Sequence, residues 1–277
     1  MNFIKMHGAG NDFVFVDRFT ERVADPADVA RRMCDRHAGV GADGLILICP
    51  STTATVRMEM YNTDGSRSQM CGNGIRCVAK YAYERGLTRE ASIPIETDDG
   101  VKLAECTVEG GRVTRVRMDM GRPRFAPQEI PVRLTGPAVV NHPIEINGKP
   151  FRMTCVSMGN PHAIIFVDDL QSVALNIDGP AVERHSLFPE RVNVHFVRVV
   201  GPTRVTMRTW ERGSGATRAC GTGASAVCVA GVRTERTQRR ITACVPGGEL
   251  ELEWSEAGSV YMTGPAVEVF HGHWPGE

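Results

Sequence analysis

The chain repeats itself. Cys71-Gly72-Asn73-Gly74 recurs as Cys220-Gly221-Thr222-Gly223, 149 residues later (220 − 71). At the same offset Gly10-Asn11 falls on Gly159-Asn160, Val56 on Val205, Met58 on Met207, Tyr61 on Trp210 and Val78 on Val227. So long a period excludes a solenoid built from short stacked units. It describes one domain of ordinary size, present twice.

Each half runs in the same order. A Gly-Asn turn leads into a short strand, "FVFVD" or "AIIFVDD". A helical stretch and a second strand follow. An alternating strand ("TVRMEMY", "RVTMRTW") then enters a polar, Gly-rich loop that ends at the cysteine. A helix starts there. In the first half Ile75, Val78, Ala79 and Ala82 have helical i, i+3, i+4, i+7 spacing. Their mates Ala224, Val227, Cys228 and Gly231 are small, which predicts a helix hemmed in closely. More strand-like runs close each half: "SIPIET", "VKLAECTVE" and "RVRMDM", then "RRITACVP", "GELELEWS" and "SVYMTG". The expected fold class is α/β (α+β), with two pseudo-symmetric domains, each a curved mixed sheet around a central helix. "GRPRFAPQEIP", from Gly121, reads as the linker that divides 1–121 from 122–264.

Several classes are disfavoured. Lys+Arg and Asp+Glu are both 32, so no overall field draws in nucleic acid or an anionic membrane. The apolar runs "LILIC" and "AIIFV" have strand length, and the N-terminus has no apolar signal region. Nine scattered cysteines, an odd number, point to free thiols in a reducing cytoplasm. Neither Cys-x-x-Cys nor His-Glu-x-x-His occurs, so no metal is expected, and His271 and His273 read as a solvated end. "GVGADG" (Gly39 to Gly44) matches a dinucleotide pattern, but a helical stretch capped by Asp25 and Pro26 precedes it and a strand follows. That order is the reverse of what dinucleotide binding needs.

The cysteines that open the two helices carry the chemistry. First-turn N–H groups lack intrahelical partners, and the helix dipole is positive there. Such a site binds carboxylates and favours a thiolate. Cys34, Cys49, Cys77, Cys106, Cys155, Cys228 and Cys244 read instead as small buried hydrophobes. For Cys71 and Cys220, flanking Gly-polar-Gly is not a packing pattern. With a pseudo-twofold axis between the halves, two cysteines would flank one cleft. That arrangement suits inversion of a carbon stereocentre: one thiolate removes a proton from one face and one thiol delivers a proton to the other. Like-charge repulsion itself disfavours two thiolates.

These residues resemble the cofactor-independent diaminopimelate epimerases. The resemblance rests on "KMHGAGNDFVFVD", "NTDGSRSQMCGNGIRC", "MGNPH", "RVNVHF" and "WERGSGATRACGTGA", and spans essentially the whole chain. It implies conversion of LL-2,6-diaminopimelate to the meso form in lysine and peptidoglycan-precursor synthesis. It implies a soluble homodimer that uses a small amino-acid substrate, with no cofactor and no pyridoxal phosphate. The last strand, within 265–277, would return to the first domain, with the active site between the halves. Cys71, Cys220, His162 and Glu211 fall on catalytic or supporting positions. Asn11, Asn62, Asn160, Asn193, Glu211 and Arg212 fall on substrate contacts, and Gly72-Asn73 and Gly221-Thr222 on the carboxylate-binding turns. Two departures concern substrate detail. Gly44, the mate of Asn193, stands where some members have an amide, and Ala216 stands where others have Glu.

Three other readings compete. A cofactor-independent racemase of proline, hydroxyproline or histidine shares the chemistry, but would leave Arg212 and the Asn side chains without a second amino-acid head. A thiol redox protein would use the two cysteines as a disulfide. A binding protein that kept the fold has no need of both cysteines, Glu211 and His162.

Overall fold

The computed structural model describes residues 1–275, so the last two positions of the 265–277 segment lie outside it. The chain begins as a hairpin, β1 (Asn2–Gly8) with β2 (Asn11–Asp17). Its two-residue turn is Ala9-Gly10, with φ of 54° and 79°. Positive φ at both positions matches the right-handed twist of the flanking strands. Helix α1 (Pro26–Met33) follows, with Asp25 accepting the Asp28 N–H and Pro26 in the first turn. It returns the chain to β3 (Gly44–Cys49), parallel to β2, and β3 pairs antiparallel with β4 (Val56–Asn62). The short β5 (Arg67–Ser68) leads into α2 (Gly72–Glu84). Then come β6 (Ser92–Thr97), parallel to β4, β7 (Gly100–Glu109) and β8 (Arg112–Asp119).

The second half repeats this plan. It opens with β9 (His142–Ile146), β10 (Lys149–Ser157) and β11 (Pro161–Phe166). Helix α3 (Leu175–Glu183) crosses to β12 (Asn193–Gly201), parallel to β11, and β13 (Arg204–Glu211) pairs antiparallel with β12. Then follow β14 (Gly215–Thr217), α4 (Gly221–Arg233), β15 (Arg240–Val245), β16 (Gly248–Trp254) and β17 (Val260–Gly264). The last strand, β18 (Val267–His273), pairs antiparallel with β1.

The chain is mixed α/β and divides into two compact units, Met1–Met118 with the segment from Thr263 onward, and Asp119–Met262. The Gly121 segment, read as a linker, is folded into the second unit. Arg124 bridges to Ser157, and Pro127 and Ile130 are buried.

The repeat extends further than identities reveal. Helices α2 and α4 coincide at the offset of 149, and so does strand register: Phe13 pairs with Gly44, and His162 with Asn193. Beyond the helices the offset falls to 148 (240 − 92), because the α4–β15 connection is one residue shorter. At that offset β7 starts where β16 does, and β8 where β17 does.

A helix lies on each face of each sheet. In the first unit Val14, Val16, Leu45 and Leu47 pack with Ala30 and Met33 of α1. Strand alternation turns Phe13, Phe15, Ile46 and Ile48 to the opposite face, where α2 lies and Gly74 abuts Ile46. Covering on both faces explains why "LILI" is apolar throughout. In the second unit Ala163, Ile165, Val194 and Phe196 pack with Val182 of α3. His162 and His195 therefore point to the α4 face. Helix α2 touches β1, β2, β4, β6 and β7, and α4 touches β10, β11, β12, β15 and β16, so each is the central helix of its sheet. Among the described residues no helix is long and apolar enough to cross a membrane.

Candidate active site

Cys71 and Cys220 are the N-cap residues of α2 and α4, both in extended conformation. Each Gly-polar-Gly exists because a strand residue lies directly beneath the first helical turn. A Cβ on Gly74 would overlap Ile46, and one on Gly223 would overlap the His195 ring. Gly221 is similarly confined by Met262.

At the first turn, the Cys71 sulfur accepts the Gly74 N–H at 3.4 Å, satisfying one of the helix's open donors. Its thiol lies 3.8 Å from Asn11 Oδ1, which also accepts Asn73 Nδ2 at 3.0 Å. Asp43 fixes that orientation by accepting Asn11 Nδ2 at 2.6 Å. Behind this group is the fully buried guanidinium of Arg76. It donates to Asn73 Oδ1, to the Gly72 carbonyl and to the Pro265 carbonyl. Burial depresses its pKa, while the neighbouring Cys77 and Cys71 sulfurs favour its charged form. A positive charge is thus held permanently next to the first cysteine. Asn62, the last residue of β4, donates to Ser66 Oγ at 2.9 Å and pairs with Gly44 of β3.

The second turn differs. Cys220 is only 5% exposed, against a half-buried Cys71. Its sulfur lies 3.6 Å from Thr222 Oγ1. Thr222 accepts Asn160 Nδ2 at 3.4 Å, and Asn160 Oδ1 lies 2.9 Å from His162 Nε2. Glu211, the last residue of β13, accepts from Thr217 Oγ1 at 2.6 Å. Burial, and then the Glu211 carboxylate, push the Cys220 thiol well above its ordinary value; Thr222 and the Gly223 N–H act the other way. Desolvation thus opposes at Cys220 the preference for thiolate that a helix N-terminus confers.

His162 is wholly buried, and both ring nitrogens are engaged. It reaches Cys220 through Asn160 and Thr222. Burial, with His195 and Arg212, holds its pKa well below the usual imidazole value, so the ring is neutral. Asn193 donates to the Pro161 carbonyl at 2.9 Å and accepts the Arg212 N–H at 3.0 Å, tying the end of β13 to β11. The Arg212 guanidinium is exposed and donates to the Glu190 carbonyl. At Gly44, the mate of Asn193, a Cβ would lie 2.7 Å from the Tyr61 carbonyl, so this backbone leaves no room for a side chain. Ala216 is exposed on β14.

Cys71, Asn11 and Asn73 thus form one cluster, and Cys220, Thr222, Asn160, His162 and Glu211 another. Sequence reasoning missed Arg76, Thr217, His195, Thr209 and Glu183. Glu183, buried at the end of α3, accepts Trp210 Nε1 at 2.8 Å and the Gly213 N–H at 3.2 Å, and so anchors the loop after Glu211. Arg76 and His195 were open to detection. Each is a polar residue where apolar periodicity predicts core, and each faces a different residue type in the other repeat, Ser225 and Ile46.

The family model for diaminopimelate epimerase matches residues 3–126 and 154–269. A diaminopimelate epimerase of Moorella thermoacetica is 51% identical over 99% of both chains. One of Methanococcus maripaludis is 45% identical over 98% of this chain and 99% of its own. Among solved structures, a probable proline racemase from Agrobacterium radiobacter covers 99% of this chain and 92% of its own, with TM-score 0.69 and 16% identity. A PhzF-family phenazine biosynthesis protein from Bacillus anthracis covers 98% of both chains, with the same score and identity. At that identity the likeness is one of fold.

Proposed function

This chain belongs to the diaminopimelate epimerase family, an isomerase family of lysine biosynthesis, and we propose that Cys71 and Cys220 carry its proton transfers. The enzyme converts LL-2,6-diaminopimelate to meso-diaminopimelate. In our reading one cysteine, as thiolate, takes the α-proton from one face. The other, as thiol, gives a proton to the opposite face. No bond to carbon other than C–H is broken, and the two sulfurs exchange protonation states.

The observation that carries this reading is the pair of cysteine-capped helices at the same offset, each with its first-turn N–H groups at a Gly-polar-Gly turn. Those N–H groups suit the α-carboxylate, whose negative charge grows as the α-carbon becomes carbanion-like. Glu211 takes the ammonium of the reacting end, and Arg212 and the Asn side chains take the distal amino-acid head. The Arg212 guanidinium is exposed and held by one carbonyl, which leaves donors for a carboxylate. Asn62 and Asn193 would contribute their remaining donor and acceptor capacity. The enzyme acts as a cytoplasmic homodimer without cofactor.

The test is proton NMR of LL-diaminopimelate in deuterated buffer with reduced enzyme and no added cofactor. Loss of the α-proton signal with appearance of meso product is expected. No exchange from a folded protein with both thiols titratable would sink the assignment.

A further inference from the structure

A line of hydrogen bonds runs under the second cysteine turn and has no counterpart under the first. It begins at Thr209 on β13, whose Oγ1 is 3.0 Å from His195 Nδ1. His195 Nε2 is 2.9 Å from His162 Nδ1, and His162 Nε2 is 2.9 Å from Asn160 Oδ1. Asn160 Nδ2 reaches Thr222 Oγ1 at 3.4 Å, and Thr222 Oγ1 is 3.6 Å from Cys220 Sγ. Thr209, His195 and His162 are buried, the two histidines completely. In the first repeat the same positions hold Met60, Ile46 and Phe13, so the equivalent line is apolar.

The protons on this line follow by elimination. Asn160 turns its amide nitrogen to Thr222 and its oxygen to His162, so His162 Nε2 carries a proton. A neutral ring then has a lone pair at Nδ1, which requires a proton on His195 Nε2. His195 Nδ1 is in turn an acceptor, and Thr209 must donate. Both rings are neutral: burial lowers the His195 pKa to about 3 and that of His162 well below its usual value. From Thr209 to His162 every donor then points the same way, toward the cysteine turn, and Asn160 donates on to Thr222. Thr222, having accepted from Asn160, still has its own hydroxyl hydrogen to donate when the Cys220 sulfur is a thiolate.

We propose that His195 and Thr209 are positioning residues that set the His162 tautomer, and through Asn160 and Thr222 hold a hydroxyl donor on the Cys220 thiolate. The inference rests on the reading of Cys220 as one of the two bases. It explains how an enclosed sulfur facing the Glu211 carboxylate is made to ionise during the cycle. The charged and titratable groups around this line are Glu211 beside Cys220 and Arg212 near His162. Neither can replace a donor aimed at the sulfur.

Two measurements test it, and neither needs turnover. In protein labelled with 15N-histidine, long-range proton–nitrogen spectra report which ring nitrogen carries the proton. His162 and His195 are both expected as Nε2–H tautomers at neutral pH, and an Nδ1–H tautomer at either would overturn the proposal. The second measurement is the pH profile of alkylation by iodoacetamide, read by peptide mass for Cys220 with Cys71 as internal control. His195→Ile, the first repeat's own residue, is expected to move the Cys220 midpoint up by about one pH unit, roughly a tenfold change in thiolate population. Cys71 should not move. Thr209→Val removes one hydroxyl at constant shape, folds even if His195→Ile does not, and should shift Cys220 in the same direction. His195→Gln restores a donor toward His162 and should recover most of the shift. An unchanged Cys220 profile in Thr209→Val and His195→Ile, or equal movement of both cysteines, would overturn the inference. The deuterium-exchange assay fails or succeeds separately, so failure of the epimerase reading is distinguishable from failure of the relay.

Discussion

The two cysteine turns share a backbone and differ in almost everything that touches the sulfur. Around Cys71 are a capping N–H, two Asn amides and the buried guanidinium of Arg76. Around Cys220 are a carboxylate, a threonine hydroxyl and a line of neutral imidazoles, with Ser225 where Arg76 stands in the other repeat. One setting offers positive charge, and the other offers negative charge and low polarity. A thiolate and a thiol want opposite surroundings. Duplication therefore supplied a common geometry, and divergence of the residues beneath each helix gave the two ends different electrostatics. The position held by Gly223 could not diverge in the same way, because a Cβ there would overlap the His195 ring.

The comparison is broken most directly by removing one sulfur at a time. Cys71→Ala and Cys220→Ala should each lower epimerisation by about 10²–10⁴-fold, the usual worth of a positioned acid or base. Each variant should still wash out the α-proton of the isomer that presents it to the surviving sulfur, so exchange and inversion separate. Proton NMR on both isomers reads the two rates together. Retention of inversion in either variant would mean that the cysteines are not a pair.

A smaller effect separates the two glycines. Alanine at either position gains up to about 1 kcal/mol of helix propensity. At Gly74 the obstructing atom is the end of the Ile46 side chain, which has other rotamers, so Gly74→Ala should be nearly neutral. At Gly223 the obstruction is the His195 ring, held at both nitrogens. Gly223→Ala should therefore cost about 1–3 kcal/mol from overpacking, and disturb the line that ends at Cys220. Urea denaturation of both variants measures the difference. Equal costs would show that His195 moves as freely as Ile46.

How much of this was open to the sequence follows from what each feature depends on. The helix starts at Cys71 and Cys220, the helical spacing of Ile75, Val78, Ala79 and Ala82, and the order of strands and helices within each half all depend on local pattern, and local pattern predicted them. The 149-residue offset even aligns the pairing of β2 with β3 to that of β11 with β12. Hydrogen-bond partners depend on side chains brought together by tertiary structure. Nothing near Glu211 in the chain announces that it adjoins Cys220, and nothing near Arg76 announces the Pro265 carbonyl, 189 residues away. The enclosure of Cys220 was not legible for a related reason. Helix position is written in the sequence, whereas enclosure of the sulfur is a property of the packed unit. His195 was the recoverable case: a histidine in the strand register of Ile46 contradicts an apolar face, and alignment of the two repeats displays the conflict.

The slightest expected effect sharpens the same contrast through acid stability. His162 and His195 are buried and neutral, with folded pKa values below the ordinary 6.5, near 3 for His195. Between pH 6.5 and about 3 the unfolded chain therefore binds protons that the folded chain refuses, and stability falls as pH falls through that window. His195 contributes a slope of about 1.4 kcal/mol per pH unit there, and His162 adds to it below pH 6.5 in the same direction. Phe13 and Ile46, at the equivalent positions of the first repeat, contribute none. His195→Ile should remove one of the two slopes, so that the variant, whatever its stability at neutral pH, loses less on acidification than the parent. Urea midpoints at pH 7, 6 and 5 test this, with Ile46→Val as a control that changes packing without changing proton binding. Parallel curves for His195→Ile and the parent would mean that the buried ring accepts a proton in the folded state. A line of neutral, one-directional donors under Cys220 could not survive that result.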